Sequence, residues 1–94
     1  MFRIQRDDAG TILLSGRLDA ASAPEARRFL ADVETSSRLD FSELDYIASA
    51  GLGLLAAVQR RLLGDGQGLT LCGLSPHLRD VFSLAGFEGI FELE

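Results

Sequence analysis

Hydrophobic and polar positions divide the chain into short segments of two periods. Phe2-Arg3-Ile4-Gln5 alternates as a strand does, Asp8-Ala9-Gly10 supplies a turn, and Thr11-Ile12-Leu13-Leu14-Ser15 is a short apolar run expected of a more buried strand. The two predict a hairpin, after which Gly16-Arg17-Leu18-Asp19 leads out of the sheet. Ser22 and Glu25 have the spacing of a capping box, with Pro24 tolerated in the first turn because its missing N–H would be unpaired there. Ala23, Ala26, Leu30 and Val33 then share one face, which predicts a helix over 23–34. Arg38-Leu39-Asp40-Phe41 reads as the next strand, ending near Ser42.

A second helix is expected over 50–63, with Leu52, Leu55, Ala56, Leu62 and Leu63 as its apolar face and Gln59, Arg60 and Arg61 as its wet side. Glycines 64, 66 and 68 stop it, and Leu69-Thr70-Leu71-Cys72 forms another strand. Ser75-Pro76 opens a third helix with stripe Leu78, Val81, Phe82 and Ala85 and stop Gly86; Ile90-Phe91-Glu92-Leu93 returns towards the sheet. Repeated βα units imply parallel strands joined by right-handed crossovers. The expected fold is therefore α/β: a small mixed β-sheet, an N-terminal hairpin plus parallel βα units, with helices packed on it.

Composition narrows the function. The 94 residues fit one domain, 1–94, large enough to hold a core without disulfides or metals. The single cysteine, Cys72, lies in an apolar run and is expected to be an inert core residue. No apolar stretch approaches the ~20 residues that span a bilayer and the N-terminus is no signal peptide, so a cytoplasmic location is expected. All nine basic residues are arginine, the formal net charge is −5, and no basic block exists, which disfavours nucleic-acid binding.

The stretch Tyr46-Ile47-Ala48-Ser49-Ala50-Gly51-Leu52-Gly53 holds one hydroxyl among apolar neighbours. As a nucleophile Ser49 lacks a base, because His77 is the only histidine and belongs to the third helix's first turn. Gly51 to Ala56 fits G-x-G-x-x-A, but no acidic residue follows near Leu71 and Cys72, where a dinucleotide site needs one. Asp19, Asp40 and Asp45 lie near strand or loop boundaries without a His or Cys partner at metal-ligand spacing. What remains is Ser49 as the N-cap of the second helix, accepting from the Gly51 or Leu52 amide. Gly51 and Gly53 each disfavour a helix by roughly 0.8–1 kcal/mol, which makes sense where a strand or a partner approaches the backbone closely. Such an exposed helix start, with about +0.5 elementary charge, suits an anion, so a phosphate on Ser49 would be tolerated in the free domain and penalised in an apolar interface.

Three blocks in order resemble the STAS domain family of bacterial anti-sigma factor antagonists. LSGRLDAASAPEAR (14–27) is similar to the family's early G-x-L-D segment. LDFSELDYIASAGLGLL (39–55) resembles its signature, a strand followed by Asp-Ser, a Ser or Thr, and Gly-Leu-Gly; GLTLCGLSPHLRDVFSLAGFEGIFEL (68–93) matches the later strand, helix and ending. Ala48 stands where the family pattern has aspartate, and Ala50 where it commonly has Ser or Thr. The resemblance implies a non-enzymatic protein without cofactors that binds an anti-sigma factor, itself a serine kinase. That kinase would phosphorylate Ser49 and end the binding, and a serine phosphatase would restore it. It also implies a partner-binding face made by Asp19, Ala48, Ser49, Ala50, Gly51, Leu52 and Gly53. STAS domains also serve as non-phosphorylated scaffold subunits of lipid-transporting ABC systems or stress-signalling complexes, where Ser49 would only cap its helix and pack against a partner.

Overall fold

A computed structural model describes residues 1–87 and 89–94. Strand β1 (Arg3–Arg6) turns into β2 (Ile12–Leu18). The turn is organised by Asp7, whose carboxylate accepts from the Ala9 and Thr11 amides, while Gly10 takes a φ of +88° that a side chain would resist. Helix α1 (Ala23–Leu30), β3 (Ser37–Ile47), α2 (Ser49–Leu63), β4 (Leu69–Cys72), α3 (Pro76–Leu84) and β5 (Glu92–Leu93) follow. The five strands lie in sequence order, β1 antiparallel to β2 and every later pair parallel, which is the mixed sheet expected.

The inward-facing strand residues join all three helices in a single cluster, so the helices occupy one face of the sheet. Ile12, Leu39, Leu71 and Leu93 are successive partners across the ladder and form one inward row. The next row, Leu13, Asp40 and Cys72, faces the other way. Cys72 is thus half-buried on the face without helices, not in the core, because strand alternation gives the core Leu69 and Leu71 instead.

β3 runs to Ile47, well past Ser42. Its core residues Leu39, Phe41, Leu44 and Ile47 are spaced by two, three and three, which hides the strand from a period-two reading. The cause is two extra residues: β2 advances from Leu13 to Ser15 while β3 goes from Asp40 to Glu43, and from Gly16 to Arg17 while β3 goes from Leu44 to Tyr46. β2 likewise continues through Gly16, whose φ of +84° and closeness to the Met1 carbonyl leave no room for a side chain.

α1 ends at Leu30, a turn earlier than its apolar spacing suggests. The Arg61 guanidinium donates to the Leu30 and Val33 carbonyls (2.9 and 2.7 Å), so these acceptors are satisfied without further helix while Val33 stays buried. α3 starts on Ser75, whose hydroxyl accepts from the Leu78 amide, and ends as expected at Gly86. There the Gly86 amide donates to Ser83 and the Phe87 amide to Phe82, with the two phenyl rings in edge contact at 6.3 Å.

Gln59 is also not on a wet side. It is 4% exposed; its Oε1 accepts from the Leu69 amide and its Nε2 donates to the Ile90 carbonyl, each at 2.7 Å. One amide thereby fastens α2 to the start of β4 and to the segment before β5. Gln59→Leu leaves that amide and carbonyl unpaired, so it is expected to destabilise the fold by about 1–3 kcal/mol in urea titration, although leucine is the better helix former and the more apolar residue. An unchanged midpoint would mean that the glutamine does not join these elements.

Candidate functional site

β2 and β3 end side by side. Leu18 faces Ile47 in the last rung, and the Ala48 amide donates to the Leu18 carbonyl at 2.9 Å. The next residue after β2 is Asp19; after β3, Ala48 follows and Ser49 opens α2. This pairing juxtaposes the two candidates that lie 30 residues apart in sequence.

The Asp19 side is a tight turn. Its Oδ1 accepts from the Ala21 and Ser22 amides, both at 3.1 Å. Ser22 does not form the expected capping box: its hydroxyl accepts from the Asp19 amide (2.9 Å) and donates to the Arg17 carbonyl (2.8 Å), so it is committed to the turn rather than to the Glu25 amide. The Ser22 amide, followed by its hydroxyl, the Ala21 amide and the Arg17 charge, holds the Asp19 carboxyl below its ordinary value against partial desolvation. A depressed folded value means that this anion's support of the turn is complete at neutral pH and is lost only as pH falls through that lowered value. Arg17 stands 3.9 Å from the Asp19 carboxylate and 4.2 Å above the Tyr46 ring. The residue reading did not single out this Arg17–Tyr46 pair; only the strand register, which makes them Cα partners, could have done so.

The Ser49 side differs from expectation. Ala48 has extended backbone (φ −98°, ψ 172°), its carbonyl accepts from the Gly51 and Leu52 amides, and it occupies the N-cap. Ser49 is the first helical residue, and no side chain caps the helix. Its hydroxyl is exposed at a helix start with no acidic residue in the first turn. The amides of Ser49 and Ala50, which precede any intrahelical acceptor, are left to solvent or a bound group.

The two glycines separate. Gly51 is buried, and a Cβ there would come within 2.8 Å of Leu18 Cγ and 2.9 Å of Ile47 Cγ1, so the sheet itself is the close neighbour. Gly53 is exposed with nothing within 4 Å of a Cβ. Leu52 is half-buried against the core, and Ala48 is half-buried while Ala50 is exposed. Ser49, Ala50 and Gly53 therefore present to solvent beside the half-buried Asp19, and Gly51 seats the helix that carries all three. Gly51 to Ala56 all lie inside α2, so the G-x-G-x-x-A run is no phosphate loop. His77 is exposed in α3 and hydrogen-bonds to nothing at Ser49 among the described residues; nor do three His, Cys, Asp or Glu groups converge there as metal ligands.

An uncapped helix start predicts opposite outcomes for neighbouring substitutions. Ala48→Asp supplies the missing acceptor and should raise stability by about 1 kcal/mol, or a Tm gain of about 4–8 °C in a thermal melt at neutral pH. Ser49→Ala should change stability by less than about 0.5 kcal/mol. A Ser49→Ala loss of a full cap's worth, with no gain from Ala48→Asp, would restore the serine to a capping role.

Comparison with known proteins identifies the family and agrees with the fold. The family model described as Mlab, STAS domain matches residues 2–93. A Bordetella bronchiseptica protein named as an anti-sigma factor antagonist, BtrV, is 40% identical over 82 residues, 83% of this chain and 71% of that protein. The anti-sigma-B factor antagonist of Listeria monocytogenes is 30% identical over 87 residues, 88% of this chain and 76% of that protein. In structure, the Bacillus cell fate determinant SpoIIAA in its phosphorylated form aligns with a TM-score of 0.72, covering 100% of this chain and 91% of its own at 22% identity, a likeness of fold.

Proposed function

The chain belongs to the STAS domain family, and from that premise we propose that it is an anti-sigma factor antagonist switched by phosphorylation of Ser49. In its unmodified form it binds, in the cytoplasm, an anti-sigma factor that is also a serine kinase. Asp19, Ala48, Ser49, Ala50, Leu52 and Gly53 form the contact face, over a helix start seated by Gly51. The observation that supports this most is the exposed Ser49 hydroxyl on the uncapped first turn of α2, next to the Asp19 turn. The relatives' names and the phosphorylated state of SpoIIAA point the same way.

The switch has a simple chemistry. The Ser49 oxygen attacks the γ-phosphorus of the partner's ATP, the bond to ADP breaks, and the hydroxyl proton is released. ATP and the kinase machinery belong to the partner, so the protein itself acts as substrate and ligand, not as enzyme. In the free domain the phosphate is solvated and lies near the first-turn amides and the helix dipole. Within the complex it is desolvated among Ala48, Ala50 and Leu52 and repelled by the Asp19 carboxylate. A penalty of about 3–4 kcal/mol lowers affinity about 10²–10³-fold, enough to separate the partners, and a serine phosphatase reverses it.

A scaffold subunit of a transporter or stress-signalling complex is the competing reading, favoured by Ala48, which removes a carboxylate from the family signature. Intact-mass measurement after incubation with ATP and a kinase that binds the protein separates the two. One added phosphate is expected, absent from Ser49→Ala. A bound kinase that transfers no phosphate would leave the scaffold reading in its place.

A further inference from the structure

α1 and α2 enclose a groove of about 300 Å³ on the flank of α2, lined by Arg27 and Ala31 on one side and by Leu54, Ala57, Val58 and Arg61 on the other. Leu54 and Val58 are buried and make its floor, whereas Ala31 and Ala57 are exposed and short, leaving its sides low. Positions 54, 57, 58 and 61 fall on one helical stripe of about 10 Å, room for about two turns of a docked helix.

The charge around the groove is opposite to that of the molecule. The chain has fourteen acidic residues and nine arginines, yet α1 and α2 carry Arg27, Arg28, Arg60 and Arg61 against Glu25 alone. Among the described residues the ion pairs are Arg17–Asp19 and Arg38–Glu94, so none of these four guanidiniums is neutralised by contact. Asp32, Glu34 and Asp65, beyond the helix ends, make no ion pair with them. Arg61 is also held in place by the Leu30 and Val33 carbonyls, so little of its freedom remains to be lost on binding.

We infer that this groove docks an acidic amphipathic helix of a partner protein. Apolar side chains one turn apart on that helix rest on Leu54 and Val58, and its Asp and Glu residues meet the lining Arg27 and Arg61, with Arg60 adding to the positive field nearby. A recessed apolar floor between cationic rims suits such a ridge better than a flat anionic membrane, and the net charge of −5 opposes membrane adsorption. The surface is distinct from the α2 start, so the inference stands whether or not Ser49 is phosphorylated.

The probe is a fluorescent helical peptide of about four turns, with leucines on one face and glutamates on the other. Anisotropy should show saturable, salt-sensitive binding, and NMR shift changes should centre on Ala31, Leu54, Ala57 and Val58. Arg27→Glu with Arg60→Glu, checked for folding by circular dichroism, should weaken binding about tenfold or more. Ala57→Arg, which fills the groove without removing positive charge, should also weaken it. A lysine-faced peptide with the same leucines should not bind. Absent binding, equal binding of the lysine peptide, shifts centred elsewhere, undiminished binding by Ala57→Arg, or preference for phosphatidylglycerol vesicles over the peptide would each overturn the assignment.

Discussion

The parallel pairing of β2 with β3, closed by the Ala48 amide on the Leu18 carbonyl, is the constraint on which the site depends. It brings Asp19 and Ser49 to adjacent chain exits. α2 can settle onto this strand end only because Gly51 has no Cβ to strike Leu18 and Ile47. The two extra residues in β3 matter for the same reason: they let the longer strand keep Leu44 and Ile47 in the core while reaching the end of β2 in register. Backbone pairing and the close packing at Gly51, and not a side-chain polar network, set the height at which Ser49 is displayed.

Given that placement, electrostatics determine what the displayed serine can do. On one side the Asp19 turn holds a carboxylate ionised through backbone donors; on the other, α2 begins with amides that no side chain caps. An unmodified hydroxyl is neutral towards both. A phosphate dianion would be attracted by the helix start, repelled by Asp19, and costly to desolvate beside alanines and leucine. Arg60 and Arg61 lie in the last turn of the same helix and Arg27 of α1 lines its flank, so α2 takes part in two surfaces of different character.

Much of the architecture was legible in the residues. Turns at glycines, Pro76 at a helix start and the three apolar stripes place the βα units, and the three family-like blocks mark the candidate site. The differences have separate causes, and a partner distant in sequence explains only the first of them. Gln59 looks solvent-facing until the Leu69 amide and the Ile90 carbonyl arrive to bind it, whereas Arg61 stays exposed as expected while also donating to the end of α1. Ser22 has the spacing of a cap but is drawn into the Asp19 turn. The long β3 escaped notice because bulges replace its alternation with a spacing of three. Ser49 was located correctly as exposed at a helix start, and misassigned by one position as its cap.

The most direct test of a packing-displayed switch is the affinity of the anti-sigma partner for the same protein before and after Ser49 is phosphorylated, measured by calorimetry with folding verified in both states. The account predicts tight binding of the unmodified form and a loss of about 10²–10³-fold on phosphorylation, with the fold unchanged. Equal affinity of the two forms would contradict it, because the phosphate would then lie outside the contact face that the β2–β3 pairing assembles.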